Sequence, residues 1–373
     1  MKGKKTGGES GGNASAKLQT LRGQIDKLDA QLLKLINDRA KVAVEIGKLK
    51  AAEGTEVFDP AREEEVLERV VSQYHGELDP HVIRAIFREV MSGSRAIQRR
   101  LRVGYLGPEY SFSHIAALEK FGSSVEYVPI GSIAGVFEAV NRGQVELGVV
   151  PIENSTDGRV ADTLAMFTRL RLKICAEVLL RIHHNLLSLC PQADIRRVYS
   201  KPQALSQCRN WLATNVPQAQ LKEVASTATA AQLAKQEPFA AAVASRQAAV
   251  ANGLTITCAD IEDRENNITR FAVIGHKMAD KTGNDKTAIM FQVADQVGAL
   301  YDALAAAKAN KVNMTWIESF PGARVGNNQE YVFFVDFLGH VDEPKVKRTV
   351  TTLQETCQRV EVLGSFPRGS CVE

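Results

Sequence analysis

Between Lys17 and Lys50 the apolar residues recur as Leu18, Leu21, Ile25, Leu28, Leu32, Leu35, Val42, Ile46 and Leu49, in alternating steps of three and four. That spacing is the a/d seam of a long helix packed against other helices. Arg39 occupies the seam position between Leu35 and Val42. A guanidinium in an apolar seam is costly unless an anion meets it there. Such a helix would be about 50 Å long, whereas a compact domain of about 85 residues is only about 30 Å across. It overhangs its own domain, so the spacing predicts a second copy of the chain lying along it, in a homodimer or a higher homo-oligomer.

Basic residues on this helix fall into two groups. Arg39 and Lys50 are separated by about 20° of rotation and can serve one pocket. Arg22 is displaced from Arg39 by about 25 Å and turned by about 100°, so it is better placed to serve the pocket of an antiparallel partner. Asp59-Pro60 reads as an N-cap and first helical residue, opening a second helix to about Tyr74. There Asp59, Arg62 and Glu63 share a face. A third helix is expected from Asp79-Pro80 to about Arg100, with Ser94 and Gln98 on one face. Taken singly, such spacings are usual on solvated helix faces.

The pattern changes at Leu101. Arg102–Leu106, Val125–Ile130 and Leu147–Ile152 read as strands, each followed by a helical segment (111–121, 132–141 and 157–170). The apolar stretch 172–189 is long enough to cross between lobes. Strand and helix signals then alternate through Val198-Tyr199, Pro202, 227–236 and 240–244. This is an α/β domain, expected to have a mainly parallel sheet and a cleft at strand ends. Four loop motifs belong at that cleft: Gly107-Pro108-Glu109-Tyr110-Ser111, Pro151-Ile152-Glu153-Asn154-Ser155, Ser200-Lys201-Pro202-Gln203 and Asn266-Asn267-Ile268-Thr269-Arg270-Phe271. By propensity alone, helix caps and strand entries are the more common account of several of these residues. After a polar linker at 279–286, a βαββαβ order through residue 366 reads as a ferredoxin-like domain.

Composition excludes several classes. With 46 basic and 43 acidic residues the net charge is +3, too balanced to argue for nucleic acid or an anionic membrane. The six cysteines and seven histidines are scattered and suggest neither a zinc site nor a disulfide framework. No unbroken apolar run reaches the ~18–20 residues of a membrane span. Residues 1–16, rich in Gly, Ser and Lys, read as a disordered tail on a cytoplasmic protein.

Residues 17–100 resemble the small all-helical chorismate mutases, particularly those fused to a prephenate dehydratase. The resemblance implies that Arg22, Arg39, Asp59, Arg62, Glu63 and Ser94 bind chorismate, with Lys50 and Gln98 at its ether oxygen. That rearrangement is pericyclic and needs no cofactor. It asks for a held conformer and fixed donors where charge develops. Residues 101–278 resemble prephenate dehydratase, in which the threonine of N-x-T-R-F is essential. Carried over, Thr269 is catalytic, and Asn154, Ser200, Gln207, Arg270 and Phe271 bind prephenate. Lys201 stands where histidine is common in that family, and Tyr110 where glycine is common.

Residues 287–373 resemble an ACT-type amino-acid-sensing domain. Gly298, Ala299 and Leu300, with Glu318 and Ser319, match its phenylalanine-binding motifs, although Phe320 replaces an arginine. The resemblance implies phenylalanine biosynthesis under feedback by phenylalanine. Two other readings keep parts of this picture: arogenate as the second substrate, or a non-catalytic two-lobed ligand-binding protein.

Overall fold

In the computed structural model, residues 10–325 and 328–372 are described. Three helices come first: α1 (Ser10–Glu53), α2 (Pro60–Gln73) and α3 (Pro80–Ala96). The Asp59 carboxylate caps α2 by accepting from the Arg62 N–H at 2.9 Å, and Asp79 caps α3 through the His81 N–H at 3.0 Å. Each cap is followed by a proline at the first helical position, where a missing N–H costs nothing. α1 begins inside the stretch expected to be a tail, because lengthening an existing helix needs no new nucleus. The same expectation for residues 1–9 lies outside the described residues. α3 stops at Ala96, short of the expected end, so Gln98 lies in the turn beyond it.

Only the C-terminal part of α1 packs on its own module. Ala43 is buried, and a Cβ added to Gly47 would lie 2.7 Å from Gln98 Cγ. Towards the N-terminus the seam stands in solvent, with Leu28 62%, Leu32 56% and Leu35 66% exposed.

The first lobe of the α/β region holds β1 (Arg102–Leu106), α4 (Phe112–Phe121), β2 (Glu126–Ile130), α5 (Ile133–Asn141), β3 (Leu147–Asn154), β4 (Gly158–Arg159), α6 (Ala161–Arg169) and β5 (Lys173–Arg181). The chain then crosses into a second lobe: β6 (Asn185–Ser188), β7 (Arg197–Ser200), α7 (Pro202–Gln207), α8 (Arg209–Asn215), β8 (Gln220–Glu223), α9 (Thr227–Gln236), β9 (Ala240–Ala244), α10 (Arg246–Asn252) and β10 (Thr255–Cys258). It returns through β11 (Ile268–Gly275). The short hairpin strand β4 occupies part of the segment expected to be helical from Asp157.

Both lobes are mixed rather than mainly parallel. In the first, ordered β16-β5-β11-β3-β1-β2 (β16 is Cys371–Val372), β11 runs antiparallel to both its neighbours. In the second, ordered β10-β6-β9-β7-β8, β6 is antiparallel to β10 and β9. The reversal follows from the crossing. β11 re-enters the first lobe from the second, opposite in direction to β3 and β5.

The remaining elements are β12 (Asp285–Gln292), α11 (Ala299–Ala309), β13 (Met314–Val325), β14 (Asn328–Leu338), α12 (Pro344–Thr356) and β15 (Arg359–Pro367), and then β16. Their four-stranded antiparallel sheet is ordered β13-β14-β12-β15. One face carries α11 and α12 over Ile289, Phe291, Val335 and Phe337. The other face lies on the first lobe, where Met290, Phe334, Leu363 and Phe366 share one apolar core with Val150, Ile152, Ile174 and Ile274. The sheets approach so closely at Gly364 that a Cβ there would sit 2.0 Å from the Ile174 carbonyl oxygen.

The segment expected to be a polar linker is exposed from Asp280 to Asn284 and anchored at its two ends. Ala279 is buried and donates to Ser365 O at 3.1 Å, and buried Asp285 accepts from the N–H groups of Thr282 and Gly283. No described helix is long and apolar enough to cross a membrane.

Candidate active sites

Three helices converge on Arg39. Its guanidinium donates to Ser94 Oγ on α3, and that hydroxyl donates to Val90 O at 2.7 Å. Burial pulls the Arg39 guanidinium downward in pKa, while the Glu63 carboxylate on α2 opposes the shift. Glu63 is itself paired with Arg95, a buried residue that sequence reasoning missed. Gln98 donates to Ser94 O at 3.2 Å, leaving its buried Oε1 without a partner.

Lys50 reaches the Glu56 and Val57 carbonyls at 3.1 and 3.2 Å, at the start of the turn into α2. Two expected residues lie apart from this cluster. Asp59 is engaged as a helix cap, and Arg62 pairs with Glu65 at 2.7 Å on the exposed side of α2. Arg22 is exposed and about 25 Å down the helix from Arg39.

The second site is a cleft of about 960 Å³ between the lobes, within the usual range for small-molecule sites. Its polar wall is ordered from the backbone outward. The N–H groups of Thr156 and Asp157 donate to Asn154 Oδ1 at 2.9 and 3.0 Å, which fixes which end of that amide is which. Asn154 Nδ2 then donates to Asn267 Oδ1 at 2.9 Å and to Thr269 Oγ1 at 2.8 Å. Since Oγ1 already accepts, the Thr269 proton is available to donate, and among the described residues no acceptor holds it.

Gln207 is oriented in the same way. It donates to Asp157 Oδ2 at 2.9 Å, so its oxygen accepts from Asn267 and from His184 Nε2, each at 2.8 Å. Burial holds the His184 pKa down against the Gln207 hydrogen bond and Glu262, which keeps the ring neutral with its proton on Nε2. Its buried Nδ1 is left as an unpartnered acceptor.

The N-termini of α4, α5, α6 and α9 all open on this cleft, three of them through the capping serines Ser111, Ser132 and Ser226. Helix N-termini carry partial positive charge, so the cleft suits an anion although, among the described residues, Arg159 and Lys201 are the only permanent cations lining it.

Two expected cleft residues lie elsewhere. Ser200 is fully buried and donates to Val243 O at 2.6 Å, away from the cleft lining. It is the last residue of a strand paired on both sides, so its hydroxyl is used inside the lobe. Arg270 is also turned away. Residues alternate along a strand, so Asn267, Thr269 and Phe271 share the cleft side and Arg270 takes the opposite one. There it meets Glu177 at 2.8 Å and Asp336 at 2.6 Å. His184, missed in the sequence, lines the cleft, and buried Asn267, noted there only as part of its motif, braces Asn154 and Gln207 from behind the wall. Asn267 could have been found from its two-residue step to Thr269.

In the C-terminal sheet, Gly298 precedes α11 with φ 85°, in the left-handed region that favours glycine. Ala299 and Leu300 follow on the helical layer. Glu318 points to the other face and reaches Arg159 of the cleft rim at 3.3 Å, while Ser319 is exposed on the helical side. Within one chain the sheet therefore separates Glu318 from Gly298–Leu300. Phe320 lies edge-on to Phe334 with centroids 6.3 Å apart. Elsewhere, His183, Asp260 and Glu262 bring possible ligand atoms within 4.8 Å of one another. The second Glu262 oxygen accepts from the His184 N–H at 2.9 Å, so the group serves as a brace for the crossing.

A family model described as chorismate mutase type II matches residues 21–99, and one described as prephenate dehydratase matches residues 103–279. The bifunctional chorismate mutase/prephenate dehydratase of Aquifex aeolicus is 40% identical over 356 residues, covering 94% of this chain and 98% of the relative. That of Pseudomonas aeruginosa is 40% identical over 358 residues, with the same coverage. The Arthrobacter aurescens prephenate dehydratase, solved in complex with L-Phe, is 29% identical with a TM-score of 0.66, covering 72% of this chain and 90% of that one. A solved structure described as a novel type of quorum quenching acylase, GqqA, is 30% identical with a TM-score of 0.64, covering 71% of this chain and 97% of that one.

Proposed function

The chain belongs to the family of bifunctional chorismate mutase/prephenate dehydratases, and from that membership we propose how its residues divide the two reactions. One activity rearranges chorismate to prephenate. The other removes CO2 and hydroxide from prephenate to give phenylpyruvate, the electron pair of the broken C–C bond entering the ring as hydroxide leaves, in phenylalanine biosynthesis. The mutase site is the cluster around Arg39. Arg39 and Ser94 take a substrate carboxylate, and Lys50 and Gln98 face the ether oxygen as its bond breaks. Arg22 completes the site from a second chain along the exposed seam of α1. Glu63, whose charge reaches Arg39, stands nearest the substrate hydroxyl, and Asp59 and Arg62 would join it only by leaving their present partners on α2.

For the dehydratase the carrying observation is the 2.8 Å hydrogen bond from Asn154 to Thr269 Oγ1. It leaves the threonine proton free to donate, and the natural acceptor is the departing hydroxide. The helix N-termini hold the carboxylates, with Asn267 and Gln207 keeping Asn154 in place. Gain of the aromatic ring supplies the drive once the hydroxyl is helped to leave.

We assign the C-terminal domain, by its βαββαβ order and the Gly298 and Glu318 motifs, as an ACT-type domain that takes phenylalanine. The L-Phe complex of the Arthrobacter relative supports this. Because a sheet separates the two motifs within one chain, an effector touching both would bridge two copies.

The test is to supply chorismate to the full chain and follow phenylpyruvate, then to run the second step with prephenate and with arogenate. Thr269→Ala should lower dehydratase turnover about 100–1,000-fold, the usual cost of losing one donor to developing charge, and leave the mutase intact. Lys50→Ala should do the reverse. Loss of both activities in either variant would contradict two separate sites.

A further inference from the structure

Between the catalytic lobe and the C-terminal sheet lies a cluster of buried charge that neither reaction uses directly. Arg270 is 6% exposed, Glu177 3% and Asp336 1%. Arg270 Nε donates to Glu177 Oε2 at 2.8 Å, and its Nη1 lies 2.6 Å from Asp336 Oδ2. Lys286 Nζ is 3.0 Å from Glu177 Oε1, the Gly369 N–H donates to the same oxygen at 2.9 Å, and the Trp316 ring lies 5.6 Å from the Arg270 guanidinium. Glu177 and Arg270 come from the first lobe, while Asp336, Lys286 and Trp316 come from the C-terminal sheet.

A cluster serving only to hold two sheets together would be better built from apolar residues, since burying ions costs several kcal/mol each. What a forked guanidinium between two carboxylates adds is direction. That direction falls at a sensitive place. The pairing of β11 with β3 shifts register between Arg270 and Phe271, and Thr269 pairs with Asn154 immediately before the shift. The extra residue is Ile152 of β3, while β11 keeps regular register with β5 from Ile268 to Val273, so the bulge re-aims β3 beside Asn154, directly opposite Thr269 and Arg270.

We propose that Asp336 is a positioning residue for the dehydration: through Arg270 it holds β11 opposite the extra residue of β3, so that the Thr269 hydroxyl faces the cleft. The inference rests on Thr269 being the proton donor. It makes the dehydratase site depend on a residue of another domain. Asp336 pairs in register with Trp316, two residues from Glu318 on β13, so a shift of β13 would be felt at Thr269 through a single side-chain contact.

The experiment uses the full chain carrying Asp336→Asn, which keeps the volume and removes the charge, with both activities assayed. The expected result is a fall in dehydratase kcat of about 10- to 100-fold, the scale of a small misplacement of a reacting group, with KM for prephenate little changed and mutase turnover at the wild-type level. Hydrogen exchange at Ile268–Phe271 should quicken. Arg270→Lys keeps the charge but not the fork and gives a second reading in a chain that retains the ion pair. Wild-type kcat in these variants would overturn the proposal. So would a rise in KM at constant kcat, which would put the cluster in substrate binding. Full dehydratase activity in Thr269→Ala would instead remove the premise about Thr269, so the two failures are distinguishable.

Discussion

At the scale of single residues, what the sequence shows depends on how far apart the partners are. Thr269 was legible from its motif, and so, in principle, was the outward turn of Arg270, because adjacent strand residues cannot face one cleft. Its actual partners, Glu177 and Asp336, lie in different domains and could not be read from local spacing. Ser200 misled for a similar reason. A serine before Pro-Gln looks like a loop residue until a neighbouring strand takes its hydroxyl.

His184 gave no local signal, yet its burial carries a testable consequence. Below about pH 6.5 the unfolded chain binds a proton that folded His184 resists, because its pKa is held down by burial. Stability is therefore full above that pH and declines as the pH falls towards the depressed folded value. His114, also lowered by burial, acts in the same direction. A Tm–pH profile should fall over this window and be flatter in His184→Gln. An unchanged slope would exclude His184 as a source of acid sensitivity.

At the scale of elements, α1 was the most legible part of the chain and also the part whose partner is least evident from one copy. The apolar period fixed the helix, and capping chemistry fixed the starts of α2 and α3. The ends were harder, because nothing between Ala96 and Leu101 marks where α3 stops. The direction of β11 was not legible at all, since it depends on the route taken through the second lobe.

The exposed seam makes a definite prediction. Leu28→Asp with Leu32→Asp places charge on two residues that are 62% and 56% exposed in one chain, so the isolated fold should tolerate it. If a second copy covers the seam, sedimentation should show a smaller species. Mutase turnover should fall at least tenfold, as expected for losing a substrate-positioning cation, while the dehydratase rate persists. An unchanged oligomer with full mutase activity would refute the shared site.

At the scale of the whole molecule, the three modules are not beads on a string. The core beneath the C-terminal sheet is the core of the first lobe, and Ala61 of α2 joins it. A chain truncated after Ala279 would leave Val150, Ile152, Ile174 and Ile274 without their cover. It should aggregate or lose dehydratase activity even if the C-terminal domain were purely regulatory. A soluble, fully active truncation would show that the shared core is dispensable.

Regulation is best tested on the intact protein for the same reason. Phenylalanine at about 100 times its Kd should stabilise the chain by about 2.7 kcal/mol and slow the dehydratase. If millimolar phenylalanine moved neither Tm nor rate, the sensing assignment would fail.

The pairing of β16 with β5 has a consequence in time. Cys371 sits beside Leu179, so one edge of the catalytic sheet is closed by a segment synthesised roughly 190 residues later. At about 5–20 residues per second that is a wait of some 10–40 s. Through that interval the β5 edge stands open beside a growing chain, with only β11, once made, on its other side. The order of synthesis thus keeps the β5 edge of the catalytic lobe open until β16 has been made.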